Sequence, residues 1–259
     1  MAFTKTPTEI DIMREGGHVL SRALKAAVDA VRPGITLREL DAIGERVILE
    51  GGGTPSFKGY TSSPSDTPFP STICISVNEE VVHGLGNRDI VLKEGDIVGL
   101  DIGCWFKGLC TDMAVTVPVG RVSKEAIQLM EVTKASTYRG VEAATIGRSV
   151  KDISRAVETE IMPHGYGIVR ALVGHGVGHA VHESPNVPNF TSPEQQDIKL
   201  VNGMCLAIEP MVGLGGDYHV ETAQDGWGMI MKDRSLSAHF EVTVAITSSG
   251  TEIFTPLPV

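Results

Sequence analysis

Gly95-Asp96-Ile97-Val98-Gly99-Leu100-Asp101 and Gly203-Met204-Cys205-Leu206-Ala207-Ile208-Glu209 follow one pattern, 108 residues apart. In each, a glycine opens an apolar run that ends in a carboxylate six residues later. A short apolar run bounded by a turn signal reads as a buried strand. A second pair, Gly34-Ile35-Thr36-Leu37-Arg38-Glu39-Leu40 and Gly147-Arg148-Ser149-Val150-Lys151-Asp152-Ile153, lies 113 residues apart and reads as a helix start. Glycine plus apolar residues is a common pattern, so chance similarity stands as the alternative. Duplication predicts an α+β chain whose halves, about 1–120 and 121–259, face each other in one domain and present equivalent acids at a central site.

The rest of the chain supports that order. Thr8 with Asp11 resembles a capping box, and Ile12, Leu20, Leu24, Val28 and Val31 recur at helical spacing. Pro33-Gly34 ends this helix; Thr36 with Glu39 opens another, closed by Gly51-Gly52-Gly53. Residues 54–70 read as a loop, followed by strands at 72–77, 96–103 and 111–119. Helices at 123–144 and from Ser149, with Asp152 in the capping-box position, precede strands at 168–173, 204–210 and 240–247.

Composition narrows the function. The 259 residues carry a formal charge of −10, which argues against a general nucleic-acid role and against direct DNA binding. The amino-terminal residues have no apolar h-region, and no run is long enough to span a membrane. Cys74, Cys104, Cys110 and Cys205 are scattered and form no C-x-x-C pair, so reduced thiols and a cytoplasmic location are expected.

The carboxylates carry the chemistry. Asp101, Asp112, Glu209 and Glu241 all lie in or beside apolar strand segments. A buried ionised carboxylate requires a cation, a hydrogen-bonding cradle or a raised pKa. No matching lysines or arginines stand nearby in sequence, and divalent metal is the economical cation. Gly174-His175-Gly176-Val177-Gly178-His179-Ala180-Val181-His182-Glu183 packs in three histidines, from which one ligand, one catalytic residue and one bystander are expected. The glycines at 176 and 178 argue against a helical zinc pair, and H-E-x-x-H, G-x-S-x-G and Walker signatures are absent from the sequence.

Together, Val82-His83-Gly84, Leu100-Asp101-Ile102-Gly103, Thr111-Asp112-Met113-Ala114, Gly174-His175-Gly176-Val177-Gly178 with His182-Glu183, Ile208-Glu209-Pro210-Met211 and Lys232-Asp233-Arg234-Ser235-Leu236-Ser237-Ala238 with Glu241 resemble type I methionine aminopeptidases. The resemblance runs from about Thr8 to Ile246 and implies the duplicated "pita-bread" fold as a single catalytic domain over 1–259. It implies Asp101, Asp112, His175, Glu209 and Glu241 as ligands of two divalent ions, with Asp112 and Glu241 bridging. One nitrogen among five ligands suits Mn, Fe or Co at least as well as Zn. The implied reaction removes the initiator methionine from nascent proteins and peptides with a small second residue, through a metal-bridging hydroxide. Glu209 would shuttle its proton, His182 would donate to the developing negative charge, and His83 would hold or protonate the departing nitrogen.

By the same resemblance Phe57, Tyr60, Phe69, Cys74 and Trp227 line the methionine pocket, with Val181 nearby and Phe240 placed as a further aromatic wall. Phe57 stands where many relatives carry cysteine, and Thr61–Pro68 reads as an insertion beside the pocket. Asn78, Glu80 and Ser237 match a monovalent-cation site for Na or K. The implied partners are amino-terminal Met peptides and nascent polypeptides, with transient ribosome association, no membrane and a monomeric state. The competing readings are a prolidase-like enzyme of the same fold and a non-catalytic binding protein, which would have lost metal ligands.

Overall fold

The structure, a computed structural model, describes residues 4–61 and 67–259; the expectation for the segment 62–66 falls outside the described residues. Four long helices come in two pairs: α1 (Pro7–Ala30) with α2 (Leu37–Glu50), and α3 (Lys124–Ala143) with α4 (Val150–Ile161). Thr6, and not Thr8, caps α1. Its hydroxyl accepts the Glu9 N–H while the Glu9 carboxylate accepts the Thr6 N–H at 2.7 Å. Pro7 explains the shift of two residues, since a ring-fixed φ and a missing N–H suit the first helical position. The Thr36–Glu39 box stands where it was expected, and so does the Ser149–Asp152 pair, with Asp152 accepting the Ser149 N–H at 2.9 Å.

A nine-stranded antiparallel sheet joins both halves. Its path runs Thr54–Pro55, Ile97–Phe106, Leu109–Pro118, Glu241–Thr247, Cys205–Ile208, Gly174–Gly176 and Glu183–Val187. Ile73–Val77 adds to Ile97–Phe106, and Gly250–Ile253 to Glu241–Thr247. Leu109–Pro118 of the first half and Glu241–Thr247 of the second pair with each other at the seam. α1 lies on Ile97–Phe106 and Leu109–Pro118, and α3 covers the opposite half, so the helices bury one side of the sheet in a large apolar core.

Two expectations need correction. The strand predicted over Ile168–Val173 shrinks to Gly167–Ile168, and pairing resumes at Gly174–Gly176. Ala171, Leu172 and Val173 instead face the cavity described below, an apolar environment that imitates a strand signal without a ladder. Phe240 is buried in the main core with Leu206 and Val244, not in the pocket.

Candidate active site

Across an antiparallel ladder, paired residues point to the same face, as do residues two apart on one strand. Asp101 pairs with Ala114, Asp112 stands two residues before Ala114, and Glu241 pairs with Ala114 from the other side. Val242 pairs with Ile208, which brings Glu209, one residue on, level with Glu241. His175 pairs with Ala207, two residues before Glu209. Five side chains from five sequence segments therefore emerge on one face of one sheet.

They line a cavity of about 340 Å³ together with Phe57, Tyr60, Phe69, Cys74, His83, His182 and Trp227, all expected from the sequence, whereas Phe240 and Val181 are not in its lining. Donor atoms of Asp112, His175 and Glu241 lie within 4.8 Å of one another. The His175 Nδ1 sits 2.9 Å from the Gly176 carbonyl, which can only accept, so Nδ1 carries the proton. Nε2 is thereby left as a free lone pair, 3.3 Å from Glu209 Oε1. A backbone-fixed tautomer of this kind is the usual preparation of a histidine for metal binding.

Burial dominates the electrostatics. It raises Asp101 to about 7, with the Glu209 charge adding and His239 opposing. Burial, then the charges of their carboxylate neighbours, push Asp112 and Glu241 far above their usual range, and burial does the same to Glu209. Asp101 Oδ1, Asp112 Oδ1 and Glu241 Oε1 are enclosed without a hydrogen-bond partner. No lysine or arginine stands among the described residues lining the cavity. Orphaned carboxylate oxygens beside an unprotonated imidazole nitrogen fit divalent cations, and the oxygen-rich donor set fits hard or borderline ones.

The histidines are held neutral. Burial, with the nearby His182 charge, lowers His175 to about 4; burial, then the charges of His182 and His239, lower His83 to about 4. His83 has φ 59°, a left-handed conformation that costs a side-chain-bearing residue about 1 kcal/mol or more. The following Gly84 has no room for a Cβ, which would lie 2.2 Å from the Ile75 carbonyl oxygen. His182 stands at the exposed rim, its ring 4.5 Å from that of His175 and its Nδ1 3.1 Å from the Tyr60 hydroxyl. Desolvation lowers its pKa. Phe69 meets Trp227 edge to face at 5.2 Å, and Cys74 pairs with Asp101 across two strands, so the apolar slot abuts the acids.

The sequence reading missed Val82, Ala171, Leu172, Val173, Met211 and His239 in the lining. His239 is the most consequential. It is buried, with an unpartnered Nε2 3.6 Å from Glu209 Oε2. Its position two residues before Glu241 on an extended segment was the available signal. Asn78, Glu80 and Ser237 also come together, outside the cavity lining: Ser237 Oγ donates to the Asn78 and Glu80 carbonyls at 3.2 and 3.0 Å. His179 lies outside the cavity lining, paired with Glu9 at 2.7 Å.

Residues 11–248 match metallopeptidase family M24. The chain belongs to that family. A curated relative, the methionine aminopeptidase of Clostridium acetobutylicum, is 44% identical over 255 residues, covering 98% of this chain and 99% of its own. The crystal structure of methionine aminopeptidase from Thermotoga maritima superposes with a TM-score of 0.91 at 37% identity, covering 97% of this chain and 98% of that one. The prolidase from Pyrococcus furiosus shares the fold alone, at TM-score 0.76 and 24% identity, with 65% of its length covered. The architecture is thus the pita-bread fold that the family resemblance implied, and the M24 chain is a metal-dependent hydrolase.

Proposed function

We propose that this M24 enzyme is a methionine aminopeptidase that removes the initiator methionine from nascent proteins and peptides whose second residue is small. One observation carries the reading: five metal-competent side chains share a sheet face with an apolar slot of Phe57, Phe69, Cys74 and Trp227. An unbranched thioether suits such a slot, and the aromatic edges favour contact with sulfur. Asp101, Asp112, His175, Glu209 and Glu241 would hold two divalent ions. When bound, such ions supply an activated water and a polarised carbonyl.

The protein's own groups do the rest. Glu209, buried beside His175 and His239, is placed to accept a proton and pass it on. His182 shares its Nδ1 with Tyr60, which orients the ring, and its other nitrogen can donate to an oxyanion. His83, neutral and aimed by a strained backbone, is placed to steady the departing amide nitrogen. The enclosing Phe69–Trp227 pair excludes water beside the substrate side chain. The facing carbonyls of Asn78 and Glu80 at Ser237 support a Na or K site at a distance from the chemistry.

The test is incubation of metal-loaded protein with Met-Ala-Ser and with Xaa-Pro peptides. Free methionine should be released from the first, and Asp112→Ala and Glu209→Ala should abolish it. Cleavage confined to Xaa-Pro would replace this reading with the prolidase one.

A further inference from the structure

We propose that Lys5 is a positioning residue for this site: through Glu183 it fixes the short loop that carries His182. The inference rests on the role given to His182 above. The Lys5 side chain has no exposed surface, and its Nζ lies 2.6 Å from Glu183 Oε2. The other oxygen of Glu183 accepts the N–H of Ala180 at 2.9 Å and also that of His179. One carboxylate, held by one buried cation, therefore ties down two successive amides just before His182.

The surroundings are shaped for this contact. Gly178 has φ 141°, and a Cβ there would come 2.2 Å from Lys5 Cε. Gly203 has φ 88°, and its Cβ would come 2.7 Å from the Lys5 carbonyl oxygen. The Lys5 N–H donates to the Gly203 carbonyl at 2.7 Å, which anchors the segment at both ends. The Gly178 carbonyl in turn accepts the Cys110 N–H at 2.7 Å, two residues before Asp112 on the same strand. Glu9 adds a second tie, capping α1 with one oxygen while the other meets His179 Nε2 at 2.7 Å.

Burying an ammonium is expensive even when it is paired, and an apolar chain of similar length would fill the slot without that penalty. What the cation adds is a carboxylate held in one place, and with it a loop geometry. The amino-terminal segment is thus coupled to a residue at the mouth of the cavity, on which its described residues make no direct hydrogen bond.

Amide hydrogen exchange and steady-state kinetics of the metal-loaded protein test this in Lys5→Met, Glu183→Gln and the double variant. Lys5→Met should raise exchange in residues 177–183 by about tenfold or more while leaving 97–106 unchanged. Metal stoichiometry should hold, and kcat on Met-Ala-Ser should fall about tenfold with KM within about twofold, because a small misplacement acts on the transition state. The double variant should be no worse than the poorer single one, since the two groups act as a unit. Unchanged exchange in 177–183, or raised exchange with unchanged kcat, would overturn the proposal. If Lys5→Met does not fold, Glu183→Gln gives the same two readouts. If the wild-type protein releases no methionine, the functional reading fails alone, and the exchange measurement still decides the tie.

Discussion

Stripping the divalent ions should make stability fall as pH rises from about 5 towards 7, and the least size of the effect follows from Asp101. Asp101 is raised to about 7, and Asp112, Glu209 and Glu241 stand well above their usual values, all with burial as the leading cause. Their folded-state pKa values exceed the unfolded ones, about 3.9 for Asp and 4.3 for Glu. Stability carried by these protons is whole below about pH 4 and is lost as pH climbs through about 7 and beyond. Each proton the native state retains costs about 1.4 kcal/mol per pH unit. Between pH 5 and 6 Asp101 alone keeps about nine-tenths of a proton that the unfolded chain has given up. The metal-free protein should therefore lose at least about 1 kcal/mol over that unit. With cations bound the acids are ionised in both folded and unfolded states, and this dependence vanishes. The assay is urea unfolding of chelator-treated and metal-loaded protein at pH 5 and 6, followed by tryptophan fluorescence. His83 and His175, lowered to about 4 by burial, stay largely unprotonated in both forms over this range. A differential below about 0.5 kcal/mol, or one of opposite sign, would refute the enclosure of the acids on which the argument stands.

Three further outcomes are expected. His182→Ala should lower kcat for methionine release by about 10²- to 10³-fold with little change in KM, as loss of one oxyanion donor does; an equal rise in KM would instead give it a binding role. Gly178→Ala, where the new Cβ meets Lys5 Cε, should cost about 1–3 kcal/mol in chemical denaturation. All four thiols are buried with raised pKa values, Cys104 and Cys205 to about 12, so native protein at pH 7 should resist maleimide until urea exposes them; rapid native labelling of Cys74 would contradict its place in the slot.

Much of this was legible in the sequence because strand chemistry is written locally. Glycine, an apolar run and a terminal acid mark Ile97–Phe106 and Cys205–Ile208, and their acids flank the seam on either side. Thr36–Glu39 was readable because both capping partners lie within one turn. The first helix was misplaced by two residues because two capping boxes overlapped, and the ring of Pro7 decided between them. Ala171–Val173 looked like strand because apolar lining and apolar ladder leave the same pattern in sequence. His239 went unread because its significance comes from Glu209, thirty residues earlier, across a pairing that exists only in the folded sheet. Phe240 was assigned to the pocket by proximity to Glu241, although alternation turns adjacent strand residues to opposite faces.

The pairing of Glu241 with Ala114 also governs when the enzyme can exist. The two residues are separated by 127 positions, so their contact closes a very long loop. Loop-closure entropy of that kind is recovered only after both flanking segments are structured, which makes the seam a late event in folding. During synthesis the chain emerges from its amino-terminal end, and the strands carrying Asp101 and Asp112 can pair in their own hairpin long before Glu241 is made. A nascent chain of this protein therefore stays without a complete acid cluster, and without hydrolytic competence, until its last large strand docks.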